Sequence, residues 1–192
     1  MRVDLDKEGP VHDVSWGSEA EFGVVYGYMP AKTTLYDIRA NPIQTISTGP
    51  RNTIKFSPGA KFVLVAGFGN LAGTMDIFSR KGKVWEILTS MEASNASVCE
   101  WSPDETFILT ATTSPRLRVD NGVKVWWVGG KLVYKEEMNE LYQVFLFQMV
   151  LIAGDLASHP VFNNQNRSTV TAANPLFGNG SSRSNWKSGY PC

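Results

Sequence analysis

The chain has 192 residues, 43% apolar and 11% aromatic, which is enough for a packed core and excludes a wholly disordered chain. Eighteen basic and eighteen acidic side chains give zero net charge, which argues against a global electrostatic grip on nucleic acid or anionic lipid but leaves room for a local basic patch. Two cysteines, Cys99 and Cys192, exclude a disulfide framework and suit a reducing compartment.

In chain order, residues 1–10 read as a lead-in. Met1–Glu8 is charged and has no apolar centre, so it does not read as a secretory signal. Three aligned units follow. The first carries Val14-Ser15-Trp16, then Glu21 to Met29, then Thr33 to Ile38. The second carries Ile54-Lys55-Phe56-Ser57-Pro58, then Phe62 to Gly67, then Thr74 to Phe78. The third carries Cys99-Glu100-Trp101-Ser102-Pro103-Asp104, then Phe107 to Ala111, then Val123 to Trp127. The aromatic anchors Trp16, Phe56 and Trp101 recur at 40 and 45 residues, a period of the WD-type propeller blade. Trp126 is a further anchor in the third unit.

The Ser-Pro-Gly and Ser-Pro-Asp words that follow an aromatic are turn signals. A fourth strand per unit is expected at Ile43–Thr48, Val84–Thr89 and Leu132–Glu136. The expected fold is therefore all-β, an incomplete WD40-like β-propeller of about three four-stranded blades, at 11–48, 52–89 and 97–137, with the start of a further strand set reaching 143. Three blades do not close a ring, so either the rest of the ring lies outside this chain or the chain is a truncated product.

Composition changes near residue 143. Residues 144–157 form an apolar segment whose longest run, Val144 to Gly154, is broken by Gln148. It is shorter than the roughly 20 residues of a membrane helix, so no membrane association is expected, and its uncharged, strand-prone character marks an aggregation-prone stretch. In 158–192, 18 of 35 residues are Asn, Ser, Gly or Pro, and this part reads as a flexible tail.

Chemistry-bearing patterns are few. Gly67-Phe68-Gly69-Asn70-Leu71-Ala72 has the spacing of a dinucleotide-binding loop, but the residues after it read as a strand where that fingerprint needs a helix. His12, His159, Cys99 and Cys192 are scattered, so no metal is expected, and no nucleophile–base arrangement or cofactor motif is recognisable. Two loops are candidates for binding RNA or a partner protein: one with Arg51 and Asn52, the other with Arg116, Arg118 and Asn121. Arg116 and Arg118 alternate, so both could project to one side of an extended chain, where guanidinium forks suit phosphate or carboxylate. Equally, Asp120 is near enough in sequence to pair with either arginine.

Several ordered words carry a resemblance: Lys7-Glu8-Gly9-Pro10-Val11-His12-Asp13-Val14, Val25-Tyr26-Gly27-Tyr28-Met29-Pro30-Ala31-Lys32, Thr48-Gly49-Pro50-Arg51-Asn52, Leu64 to Leu71, Leu109 to Thr112, Pro115 to Gly122, and Glu140 to Val144. Over residues 7–143 the chain resembles the C-terminal part of the propeller in the eukaryotic translation initiation factor 2A family. The resemblance implies a nine-bladed propeller in full-length relatives. It also implies a cytoplasmic, non-enzymatic factor that acts at the small ribosomal subunit with initiator tRNA or mRNA, together with other initiation factors, and delivers initiator methionyl-tRNA. The chain departs from the family after Val144, where a truncated, splice-variant or gene-model form is expected. The alternative is a WD-repeat interaction scaffold without an RNA role, related to the propeller of translation initiation factor 3.

Overall fold

Alternating apolar positions become strands throughout, and the described residues contain no helix. The computed structural model describes residues 2–18, 20–114, 120–150 and 166–173, with the backbone alone described for 145–150 and 166–173. The first sheet is β1 (Val11–Ser18), β2 (Glu21–Tyr26), β3 (Ala31–Asp37) and β4 (Pro42–Gly49). The second is β5 (Thr53–Phe56), β6 (Phe62–Ala66), β7 (Thr74–Lys81) and β8 (Val84–Glu92). The third is β9 (Val98–Trp101), β10 (Phe107–Thr112), β11 (Gly122–Trp127) and β12 (Leu132–Glu137). Each is a four-stranded antiparallel meander in sequence order, which is the form of a propeller blade.

Register confirms the repeat. Trp16 pairs with Phe22, Phe56 with Val63 and Trp101 with Ile108. Those partners in turn pair with Tyr36, Phe78 and Trp126. The anchors thus hold one position in three sheets. The Ser-Pro turns also repeat atom for atom. Phe62 N donates to Ser57 Oγ at 3.1 Å, and Phe107 N to Ser102 Oγ at 2.8 Å. Ala60 and Glu105 take the left-handed conformation at φ 55° and 61° to close the two turns.

Because strand side chains alternate, each blade offers one face to each neighbour. Between the first and second blades lie Val25, Ala31, Leu35, Ile54, Phe56, Val63, Val65, Phe78 and Trp85. The Phe56 ring lies where a side chain on Gly17 would stand, with a Cβ there meeting the ring at 2.5 Å. Glycine is the residue that lets the ring approach the β1 backbone. Between the second and third blades lie Leu64, Ala66, Met75, Ile77, Met91, Cys99, Ile108 and Trp126. Phe62 and Trp101 stack at 6.1 Å on the same seam.

The two outer faces differ from these seams. On the first blade, Phe22, Val24, Tyr26 and Tyr36 are covered by Val3 and Leu5 of the lead-in. The Tyr26 hydroxyl donates to Asp6 at 2.6 Å, and Lys32 pairs with the same carboxylate. Trp16, at the edge of that face, remains 61% exposed. On the third blade, Leu109, Ala111 and Val123 are covered by Leu141 and Val144.

After the third blade, β13 (Gln143–Val150) and β14 (Asn166–Ala173) pair as an antiparallel ribbon. β14 falls within the stretch whose composition reads as a tail. Its Thr169-Val170-Thr171 core is β-branched, which favours a strand once a partner is available. The rest of 151–192 lies outside the described residues.

Candidate contact face at the loop ends

In a meander, the β2–β3 and β4–β5 turns and their repeats emerge at one end of the sheets, and the β1–β2 and β3–β4 turns at the other. The loops of Arg51 and Asn52 (β4–β5), Gly67–Gly73 (β6–β7) and Asn121 (β10–β11) therefore share one face. The β10–β11 connection also carries Arg116 and Arg118, which lie outside the described residues.

At this face Arg51 and Asn52 are built into the fold. The Arg51 guanidinium donates through Nε at 3.1 Å and Nη2 at 2.5 Å to Asp76 Oδ2, and both side chains are close to nine-tenths buried. Ser90 donates to the other Asp76 oxygen at 2.7 Å. Asn52 imitates a strand neighbour. Its Nδ2 donates to Phe68 O and its Oδ1 accepts from Phe68 N, both at 2.9 Å. This pins the Gly67-x-Gly loop, and a Cβ on Gly67 would stand 2.1 Å from Pro50 O. The loop leads into β7, so it offers no helix terminus to a pyrophosphate, in keeping with the sequence.

Asn121 is buried. Its Oδ1 accepts from Ser114 Oγ at 2.6 Å and Leu141 N at 3.2 Å, and its carbonyl accepts from Met138 N at 2.9 Å. It ties both ends of the β10–β11 connection to the segment entering β13. Asp120, in the left-handed region at φ 57°, is exposed and lies 3.4 Å from Asn95 Nδ2. The anchors differ among themselves: Phe56 and Trp126 are buried, Trp101 is half-buried and Trp16 is exposed. Trp101 Nε1 donates to Lys55 O at 3.2 Å and Trp126 Nε1 to Thr110 Oγ1 at 2.9 Å.

Other polar links were not legible as sites. Asp13 Oδ2 accepts from Ile54 N at 2.9 Å and Ser15 Oγ from Phe56 N at 3.3 Å. Gln44 clasps Trp85 twice, Nε2 to O and Oε1 from N, both at 2.9 Å. Glu105 accepts from Ser57 Oγ and Gly59 N, both at 2.6 Å, and pairs with Lys61 at 3.0 Å. Burial pushes the Glu105 carboxyl up, but the Ser57, Lys61 and Gly59 donors outweigh it and hold it below its ordinary 4.5. Glu21, also buried, pairs with Arg80 at 2.7 Å. A long-range partner leaves no periodic trace, so only a contact map could have found these pairs.

Cys99 is buried, and desolvation pushes its thiol up to about 12, so it packs as a small apolar side chain. Among the described residues no group of three or more His, Cys, Asp or Glu is placed to hold a metal, and no helix is long and apolar enough to cross a membrane.

Comparison with known proteins bears on the chain as a whole. Residues 1–144 match the family described as eukaryotic translation initiation factor eIF2A. The chain is 52% identical over 169 residues to eukaryotic translation initiation factor 2A of Schizosaccharomyces pombe, covering 83% of this chain and 29% of that protein. A crystal structure of a eukaryotic initiation factor is 55% identical with a TM-score of 0.69, over 73% of this chain and 35% of that one. The Cps50 (Swd1) β-propeller domain, 13% identical with a TM-score of 0.55 over 70% of this chain and 46% of its own, shares the fold. A component of eukaryotic translation initiation factor 3 from Nicotiana tabacum is more distant, at 27% identity over 101 residues, 53% of this chain and 14% of that protein. The chain spans about a third or less of the initiation factors it matches. The family match over residues 1–144 and 52% identity across 83% of the chain place it plainly: the chain belongs to the eukaryotic translation initiation factor 2A family.

Proposed function

We propose that these blades serve translation initiation by contact rather than catalysis. The loop face described above would meet RNA of the small ribosomal subunit or initiator tRNA in the cytoplasm. Membership of the initiation factor 2A family carries this reading. The clustering of the β4–β5, β6–β7 and β10–β11 loops at one end supports the choice of face. Arg116 and Arg118 are the contact side chains in this proposal. Arg51, Asn52 and Asn121 hold the loops in shape, since their polar atoms already have protein partners.

The test is ribosome binding by a full-length relative with Arg116→Ala and Arg118→Ala together. Two lost phosphate contacts should weaken binding and reduce the slope of log affinity against log salt by about two. Unchanged affinity and slope would remove this loop from the interface. The initiation factor 3 likeness at 27% identity supports a second reading, a scaffold for protein partners. Pull-downs with and without nuclease separate the two, because partners of a scaffold survive RNA removal.

A further inference from the structure

At the seam between β5 and β9 the outward amides of β9 lack the side-chain acceptors that serve those of β5 in the preceding seam, and Trp101 Nε1 donates to Lys55 O there instead. Ser57 N donates to Phe62 O, and Ser102 N to Phe107 O, in the register of their ladders. Alternation then turns the amides of Ile54 and Phe56, and equally of Cys99 and Trp101, away from their own sheets. In the first seam those amides meet Asp13 and Ser15. By register, Thr53 and Lys55 stand in the places of Asp13 and Ser15.

Neither replacement does the same job. Thr53 donates its hydroxyl to Asn52 Oδ1 at 3.1 Å. Lys55 carries three donors and no acceptor. Among the described residues, the amides of Cys99 and Trp101 have no acceptor and the Lys55 ammonium has no carboxylate partner. Glu100 falls with Val98 on the opposite face of β9. A cleft of about 340 Å³ opens at this seam, lined by Asn52, Thr53, Lys55, Gly69, Ser97 and Cys99 among others.

We propose that this cleft binds a carboxylate side chain of an acidic segment in a partner protein. One oxygen would accept from the Cys99 amide, as Asp13 Oδ2 does from Ile54 N, and the carboxylate would pair with Lys55. The sister seam supplies the argument for a carboxylate, because Asp13 Oδ2 fills the corresponding place there. A charge-assisted pair in a recess is stronger than the same pair on an open surface. The cleft borders the loop face proposed for RNA through Asn52 and Gly69, but the inference uses neither Arg116 nor Arg118.

The experiment is an amide-resolved NMR titration of the full chain with hexaglutamate, and with hexauridylate of similar charge. Hexaglutamate should shift the Cys99 amide, and Lys55→Gln should weaken its binding about tenfold, the factor carried by one ion pair of about 1.4 kcal/mol. Lys55→Ser restores the hydroxyl that Ser15 provides in the sister seam. It should weaken binding at least as much as Lys55→Gln while keeping the thermal midpoint, which separates lost recognition from lost folding. The proposal is overturned by an unmoved Cys99 amide, by equal affinity in the Lys55 variants, or by a preference of this amide for hexauridylate.

Discussion

Between the first and second blades, β1 reaches β5 with a carboxylate and a hydroxyl. Between the second and third, β5 faces β9 with an ammonium and a hydroxyl turned elsewhere. Both seams bury the same kind of apolar stripe, and both put an aromatic anchor at the same register position. Their polar locks are unrelated. The first uses Asp13, Ser15, the Gln44 clasp and the Glu21–Arg80 pair, and the second uses Glu105 and the Trp101 indole. The short connections between β4 and β5 and between β8 and β9 already fix which blade follows which. The difference teaches that burial makes consecutive blades stack while pairwise polar links set the register of each seam, because a buried donor facing another donor costs about 1–3 kcal/mol.

The largest effect should come from the shared part. Phe56→Ala removes a ring packed across the first seam and should lower unfolding free energy by about 3–5 kcal/mol. Trp16→Ala, at the same register position but exposed, should change it by no more than about 0.5 kcal/mol. Urea titration of both variants measures this, and equal losses would show that register rather than burial sets the energetics.

Next comes Arg51→Ala, which strands the buried Asp76 carboxylate and should cost about 3 kcal/mol. Arg51→Ala with Asp76→Ala together should cost less than the sum of the singles. Additive losses in thermal unfolding would mean the pair is not the lock described.

Glu105→Gln should cost about 2 kcal/mol, because a neutral amide is a weaker acceptor for Ser57 and Gly59. The folded Glu105 pKa lies below its ordinary 4.5. Its contribution is therefore full above that value and is lost as pH falls through the lower folded value. The stability gap between native chain and variant should be flat at neutral pH and shrink in that acid window. A gap that widens on acidification would reverse the assignment.

Among the polar links the smallest effect is expected from Gln44→Ala. It breaks both bonds to the Trp85 peptide at the rim and should cost about 1–2 kcal/mol. The loss should appear as faster exchange at the Trp85 amide. Unchanged exchange there would remove the clasp from the seam.

The sequence revealed the half of this comparison that repeats. Period-2 alternation and the Trp16, Phe56 and Trp101 spacing are local signals, and the Ser-Pro turns fix hairpins through bonds spanning five residues. Three sheets in the expected order follow from those signals. What repeats in sequence need not be buried alike, and Trp16 shows it, since burial depends on what lies across the face. Pairs such as Arg51–Asp76 and Glu105–Ser57 join residues 25 and 48 apart and leave no pattern to read. Arg51 therefore looked like a free loop cation until its partner was in place. Glu105 was hidden further by its backbone: a left-handed conformation suits glycine and costs a glutamate about 1 kcal/mol, a cost offset by the bonds that conformation allows its carboxylate to make.

Amide hydrogen exchange at four positions tests the two-seam account most directly. Ile54 and Phe56 donate to Asp13 and Ser15, while Cys99 and Trp101, at the same ladder positions one blade on, have no acceptor among the described residues. The account predicts that Cys99 and Trp101 exchange about tenfold faster than Ile54 and Phe56, the factor that a hydrogen bond of about 1.4 kcal/mol carries. Equal protection at all four amides would contradict it.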